Sequence, residues 1–130
     1  MRCALLDTDA CIEIIRGNPL PVSSFPDFTF LVSTISQFEI LSGLKGLKNT
    51  KAEQRATSFL SLAEIRLFDE EAARAAARIR IHLEAKGKPI GAYDLLIAGH
   101  AQSLKFPLIT GNHKEFQRIP KLSLLNWRDK

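Results

Sequence analysis

The sequence predicts a single α/β domain built on a parallel sheet that helices cover on both faces. Residues 3–6 form a short apolar run without a polar side, which is typical of a strand buried between two layers. Further along the chain, strand-like runs alternate with helical patterns, and this alternation is typical of parallel sheets. With 130 residues and no linker or internal repeat, the whole chain 1–130 fits one domain.

Local signals place each element in turn. Gly17 and the prolines after it end the first helix and begin a loop over residues 18–27. Ser36 and Glu39 have the spacing of a capping box at the start of the next helix. Asp69 has the position of an N-cap before an alanine-rich helix. The predicted strands are residues 3–6, 28–32, 65–68, 107–110 and 122–125. The predicted helices follow Asp7 and Ser36 and then cover residues 49–62, 70–85, 93–104 and 112–117.

Charge and composition limit the kinds of binding partner and the cellular compartment that we expect for this protein. The chain has a net charge of +4, from 18 basic and 14 acidic residues, which is compatible with a polyanionic partner such as nucleic acid. Cys3 and Cys11 lack metal-ligand or redox spacing, so we expect core thiols in a reducing, cytoplasmic compartment. No apolar stretch reaches the roughly 20 residues that span a membrane. Asp7 and Asp9 also interrupt any signal-peptide core.

Three carboxylic acids have apolar neighbours, and each has a structural interpretation. Asp7 ends the first strand and has the position of a helix N-cap. Glu39 lies within residues 38–41, where it is the second member of the capping box. Asp94 begins a helix, where it complements the helix dipole. All three also lie at strand-to-helix junctions or helix starts, the edge where open α/β sheets bind ligands. Together they predict one shared acidic site.

A shared site of this kind predicts a divalent cation. Two ionised carboxylates about 5 Å apart repel each other by about 3 kcal/mol at an effective dielectric constant of about 20. No Lys or Arg lies beside Asp7, Glu39 or Asp94 to offset this repulsion. Mg²⁺ or Mn²⁺ prefers carboxylate oxygens and completes its shell with water and phosphate oxygens. A basic protein with an acidic metal pocket is suited to phosphodiester cleavage.

Secondary candidates surround these three acids. Asp9 lies either at the rim of the pocket or in solvent on the first helical turn. Asn112 follows a predicted strand and is either a turn residue or a group that orients water. His100, on an apolar helix, is expected to be a core histidine with satisfied hydrogen bonds. The candidate contacts to an RNA backbone are Lys45, Lys48, Lys105 and Lys114.

Four segments in order resemble the successive motifs of PIN-domain ribonucleases, and of the VapC-type toxins in particular. These segments are Leu5-Leu6-Asp7-Thr8-Asp9, residues 35–44, residues 93–101 and residues 108–116. The ending from Ile119 to Trp127 is similar to theirs as well, so the resemblance covers nearly the whole chain.

The resemblance implies a PIN-like five-stranded parallel sheet flanked by helices. It also implies an endoribonuclease dependent on Mg²⁺ or Mn²⁺, a homodimer and a cognate antitoxin. The acids of the family correspond to Asp7, Glu39 and Asp94, and a fourth falls at Asn112. Thr8 and Thr110 match small polar positions beside the site. Toxins of this length in the family often cut structured RNA such as tRNA.

Two other functions are compatible with parts of the sequence. Leu5-Leu6-Asp7-Thr8-Asp9 also resembles the first motif of haloacid-dehalogenase-like phosphatases, but about 20 residues remain after Thr110 for their later motifs. A non-catalytic binding module is the second alternative, and it predicts no response of protein stability to metal.

Overall fold

A five-stranded, entirely parallel sheet forms the centre of the computed structural model, which describes residues 2–45 and 50–129. The strands are β1 (Arg2–Leu6), β2 (Phe28–Ser33), β3 (Glu64–Arg66), β4 (Leu108–Thr110) and β5 (Leu124–Asn126). Their order across the sheet is β3-β2-β1-β4-β5, which confirms the predicted fold class. The order reverses between β1 and β4, so the residue after β1 lies at the switch point where such sheets bind ligands.

Seven helices and a final turn connect and cover the strands in the described residues. They are α1 (Thr8–Ile15), α2 (Leu20–Ser23), α3 (Thr34–Ser42), α4 (Lys51–Leu62), α5 (Glu70–Ala85), α6 (Ala92–Leu104), α7 (His113–Phe116) and a 3₁₀ turn (Trp127–Asp129). Asp69 caps α5 as predicted, because its side chain accepts a hydrogen bond from the backbone N–H of Ala72 at 3.0 Å. None of these helices is long and apolar enough to cross a membrane.

Alternate residues of the central strands bury opposite faces of the sheet in two cores. Leu6, Val32 and Ile109 point to one side, where Cys11 of α1 and Trp127 complete the packing. Leu5, Leu31 and Leu108 point to the other side and meet the apolar residues of α5 and α6. The period of two in a pleated strand therefore explains why residues 3–6 have no polar face.

Two predictions about the N-terminal half are wrong. Residues 18–27 are not entirely irregular, because α2 forms there with Pro21 in its first turn, where a missing N–H is tolerated. Ser36 and Glu39 do not form a capping box. The helix begins earlier, and the side chain of Ser33 accepts the hydrogen bond from Ile35 N–H instead. The last strand also begins at Leu124 rather than at residue 122.

α5 and α6 approach each other closely. Gly99 and Ala76 face each other there, and a Cβ atom added at Gly99 would lie 2.6 Å from the Cα, Cβ and N atoms of Ala76. Because those atoms include the backbone of α5, the clash is relieved only if the two helices separate.

We expect Gly99→Ala to lower the free energy of unfolding by about 1–3 kcal/mol, which is the usual range for overpacking a tight core. Urea denaturation monitored by circular dichroism measures this change. Ala77→Leu, on an exposed part of α5, is the control and should change it by less than about 0.5 kcal/mol. A Gly99→Ala protein as stable as wild type would contradict the close approach.

Candidate functional site

Asp7 lies at the carboxyl end of the central strand and is almost completely buried, with 2% of its surface exposed. Its backbone N–H donates to Ile109 O at 3.0 Å, which continues the pairing of β1 with β4. Its Oδ1 accepts from Ala10 N–H at 2.8 Å, so Asp7 is also the N-cap of α1. Burial raises the pKa of Asp7 to about 6, although hydrogen bonds from Thr110 and Ala10 oppose the shift.

Asp94 lies in the first turn of α6 and faces another acid. Burial raises the pKa of Asp94 to about 8, and a hydrogen bond with the carboxyl group of Glu115 and its negative charge add to the rise. The charges of Asp7 and Asp9 contribute in the same direction. The charges of three other carboxyl groups therefore act on Asp94 at this edge, two of them from the start of α1 and one from α7.

Glu39 reaches the same edge from α3 through hydrogen bonds to α1. The hydroxyl of Thr8 donates to Glu39 Oε1 at 2.6 Å, and it lies 2.9 Å from the hydroxyl of Ser36. Thr8 and Ser36 are both buried. The pairing that the sequence assigned to a capping box is thus replaced by a link between two helices, which fixes Glu39 relative to the residue after Asp7.

The structure brings together only part of the predicted site. Asp7 and Asp94 are close enough for the charge of Asp7 to raise the pKa of Asp94, whereas Glu39 is not among the charges that shift either group. Within residues 2–45 and 50–129, no three His, Cys, Asp or Glu side chains already form a set of metal ligands. The role of Asp7, Glu39 and Asp94 in metal binding stays a prediction.

The secondary candidates separate into supporting and exposed residues. Thr110 is buried and supports Asp7, and its Oγ1 also accepts from Asn112 N–H at 2.9 Å. Asn112 is a capping residue, because its Oδ1 accepts from Glu115 N–H at 3.4 Å at the start of α7. Asp9 is exposed but its charge acts on both Asp7 and Asp94. His100 is the predicted core histidine, with Nδ1 2.8 Å from Ser33 Oγ.

Sequence reasoning missed two residues of this edge. Glu115, three residues after Asn112 and inside the segment that carries the last motif, supplies the carboxyl group that acts on Asp94. Arg128 lies against the backbone of Gly111, where an added Cβ would collide with its Nε. Its charge lowers the pKa of Asp7. No local pattern indicated Arg128, because it lies 121 positions after Asp7 in the sequence.

The carboxyl groups present fit a divalent cation. Glu115 Oε1 is buried and has no hydrogen-bond partner within the described structure. A buried carboxylate oxygen without a donor is unfavourable, and a hard cation satisfies it. The same ion would also offset the negative charges of Glu115 and Asp7 that act on Asp94. Since the carboxyl groups do not form a closed set, water and phosphate oxygens would complete the shell, as Mg²⁺ prefers.

Comparison with known families agrees with this geometry. The family model described as PIN domain matches residues 4–122, nearly the whole chain. The chain belongs to the PIN-domain family. The matched residues of this PIN domain include all four motif segments together with Asp7, Asp94 and Glu115. The match confirms the family predicted from the sequence.

Relatives of full length carry the VapC name. The chain is 32% identical over 127 residues to tRNA(fMet)-specific endonuclease VapC of Salmonella typhimurium, which covers 95% of this chain and 96% of that protein. It is 36% identical over 129 residues to Ribonuclease VapC2 of Rickettsia felis, with the same coverage. The resemblance of this PIN domain to VapC-type proteins is thus confirmed.

Solved structures show the same arrangement. The PIN domain superimposes with a TM-score of 0.85 on a chain of VapBC2 from Rickettsia felis bound to a DNA fragment from their promoter, at 33% identity, with 96% of this chain and 98% of that chain covered. A chain of DNA-bound VapBC from Salmonella typhimurium gives a TM-score of 0.83 at 32% identity, with 98% and 99% covered.

We expect the metal-free protein to lose stability as the pH rises from about 4 to about 8. The pKa values of Asp7 and Asp94 rise from 3.8 to about 6 and about 8 on folding, so over this range the folded state holds protons that the unfolded state has released. The stabilisation is complete below pH 4 and is lost as each group ionises in the folded protein. Burial lowers the pKa of His100, which gives the opposite slope below pH 6.5.

Urea denaturation in EDTA at a series of pH values measures this dependence. Asp94→Asn should remove most of the loss between pH 6 and 8, because the amide does not titrate. The control is Glu71→Gln, which changes an exposed acid in the first turn of α5 and should keep the wild-type slope. An Asp94→Asn protein with the wild-type slope would contradict the shifted pKa of Asp94.

Proposed function

We propose that this PIN domain is a metal-dependent endoribonuclease that cleaves RNA phosphodiester bonds and is the toxin of a toxin–antitoxin pair. The observation that supports it most is the gathering of Asp7, Asp94 and Glu115 at the switch point of the sheet. None of the ion pairs found in the described residues involves these acids. A bound cation would therefore meet no competing ion pair among the described residues. The reaction we propose is the one that the ribonuclease names of its relatives indicate.

Asp7, Glu39 and Asp94 would hold Mg²⁺ or Mn²⁺, and Glu115 would join them. When bound, the ion lowers the pKa of a water molecule and offsets the negative charge that grows on the scissile phosphate. Asp7 is held rigidly for this role by Ala10 N–H and Thr110. Glu39 is aimed by its short hydrogen bond from Thr8, and we assign it the positioning of the attacking water.

Basic residues around the edge would bind the RNA backbone. Lys114 directly precedes Glu115, and Arg128 lies over Gly111 beside the acidic site. The Arg128 guanidinium stacks on the Trp127 ring at 4.4 Å, which limits its freedom and leaves its donors able to contact a phosphate bidentately. Lys48, another predicted contact, lies outside the described residues. Lys105 is remote from the acids, at the other end of α6.

The comparisons also suggest a substrate class and partners. Because the Salmonella relative is named a tRNA(fMet)-specific endonuclease, we propose tRNA as the substrate class. The neighbouring structures are VapBC toxin–antitoxin complexes, so we propose an antitoxin as protein partner. We also propose a homodimer, which the family resemblance implies, and light scattering of the purified protein tests it. The same comparisons favour the nuclease over the phosphatase and the non-catalytic module.

We expect Asp7→Asn and Asp94→Asn each to reduce cleavage of RNA in Mg²⁺ by about 100-fold or more, because several kcal/mol of metal-dependent stabilisation is lost. Glu115→Gln should reduce it as well and should weaken the stabilisation of the protein by Mn²⁺ in a thermal shift assay. Glu71→Gln is the control with the same loss of charge. Undiminished cleavage by folded Asp7→Asn and Asp94→Asn proteins would remove these residues from the mechanism.

We expect Arg128→Ala to lower kcat/KM for RNA by about tenfold or more, chiefly through KM, because a charge-assisted contact to phosphate is lost. Gly111→Ala should have a similar effect, since its methyl group displaces the Arg128 side chain. The double variant should be no worse than Arg128→Ala alone, as both changes remove one interaction. Additive losses, or a loss equal to that of Arg16→Ala on the remote end of α1, would contradict this role.

A further inference from the structure

A cavity of about 620 Å³ opens at the edge of the sheet opposite the acids, where β4 and β5 begin. Asp94 lies in the first turn of α6, and Lys105 at the end of the same helix lines this cavity. Eleven residues separate the two, which is about 16 Å along a helix axis. The cavity is therefore distinct from the candidate metal centre, and nothing in the proposed cleavage reaction uses it.

The described residues that line this cavity carry positive charge, and no carboxylate is among them. Arg78 of α5 faces Lys105 and Lys121 of the connecting loops, and His82 lies one turn after Arg78. Arg78, Lys105 and Lys121 take no part in the ion pairs found in the described residues. The remaining lining is polar or apolar and includes Gln102, Phe106 and Pro107. Such a surface is complementary to an anion that has a flat or apolar part.

Backbone conformation singles out the two lysines independently of charge. Lys105 has φ 61° and Lys121 has φ 64°, and they are the only non-glycine residues with positive φ in the described part of the chain. This left-handed conformation favours glycine or asparagine, and a lysine in it is strained. Other turns of the same protein use glycine for it, at Gly17 and Gly87. Lys105 has this conformation as the C-cap of α6, where helices commonly end in it, and Lys121 has it in a turn, so the two lysines that line the cavity share an unusual backbone conformation.

The backbone around the cavity is already organised. The N–H groups of Lys105 and Phe106 donate to carbonyl groups of the last turn of α6. These hydrogen bonds reduce the partial negative charge at the C-terminal end of that helix. The Nε2 of Gln102 donates to Pro120 O at 3.1 Å. This bond fixes the loop that carries Lys121 against α6, so both ammonium groups extend from anchored backbone rather than from free loops.

We propose that this cavity binds a phosphate-bearing ligand, with Lys105 and Lys121 as its principal contacts. The phosphate belongs either to the backbone of an RNA strand, remote from the bond that is cleaved, or to a free nucleotide. Binding to a substrate strand rests on the proposed ribonuclease function, whereas binding of a nucleotide does not. Phe106 and Pro107 would then contact the sugar or base, and Arg78 would add a bidentate donor.

The test uses the double variant Lys105→Gly with Lys121→Gly. We expect this variant to keep or gain stability but to bind RNA more weakly. Glycine relieves the left-handed strain, so the melting temperature should be unchanged or raised by a few degrees. Binding of a fluorescent single-stranded oligoribonucleotide, measured by anisotropy in EDTA, should weaken by about tenfold. The slope of log K against log salt should become less steep by about 0.7 for each lost contact. A purely structural role for the lysines predicts no selective loss of binding.

Matched controls make the result decisive. Arg16→Ala with Lys86→Ala removes two positive charges from exposed helix ends that do not line the cavity. If the glycine protein folds poorly, Lys105→Asn with Lys121→Asn replaces it, because asparagine also tolerates left-handed backbone. Equal binding losses in the cavity variant and in the control would overturn the proposal, as would wild-type binding by the cavity variant.

Competition distinguishes the two sources of phosphate. If uridine monophosphate displaces the RNA from the wild-type protein with an affinity comparable to that of the RNA, and does not do so in the cavity variant, the cavity is a site for a free nucleotide. Binding of RNA alone assigns it to the substrate strand. Inorganic phosphate serves as the reference for charge without a base. Cleavage of RNA in Mg²⁺ by the wild-type protein is measured separately, so that failure of the ribonuclease function is not confused with failure of this site, which is tested in EDTA.

Discussion

Repulsion and desolvation of carboxyl groups at one edge of the sheet are the constraint on which the functional interpretation depends. Asp7 and Asp94 have pKa values raised to about 6 and about 8, and Glu115 has a buried oxygen without a donor. Such a cluster lowers the stability of the folded chain at neutral pH, and a bound cation would offset that cost. Ionisable groups with strongly shifted pKa values are concentrated at functional sites.

Chain topology creates this constraint. Asp7 follows β1 at the point where the strand order reverses, and α7, which follows the neighbouring strand β4, begins at the same edge of the sheet. α6 follows α5 instead of a strand, and its first turn is close enough to this edge for Asp7 and Glu115 to act on Asp94. α6 and α7 contribute Asp94 and Glu115, while α3 contributes Glu39 through its hydrogen bond from Thr8. Close packing behind the site, such as Gly99 against Ala76, fixes the position of α6 and therefore of Asp94.

The two edges of the sheet differ in charge. Acids gather where the strands end, and cations line the cavity where β4 and β5 begin. α6 joins the two edges, with Asp94 in its first turn and Lys105 after its last. A net charge of +4 does not reveal this separation. A polyanionic strand that contacts both edges would be held by the basic end while a metal neutralises the acidic one.

Local sequence patterns were sufficient for the strands, for the long helices and for the positions of Asp7 at a strand end and Asp94 at a helix start, because burial and helix starts leave their signals within a few residues. They were also sufficient for the family, since its motifs occur in order along the chain. Only tertiary structure decided that Ser36 and Glu39 join Thr8 instead of capping a helix, that Glu115 rather than Asn112 meets Asp94, and that Arg128 reaches the site. These choices depend on distances between residues that are remote in sequence, and the physical reason is that packing of the helices on the sheet, not local propensity, sets those distances.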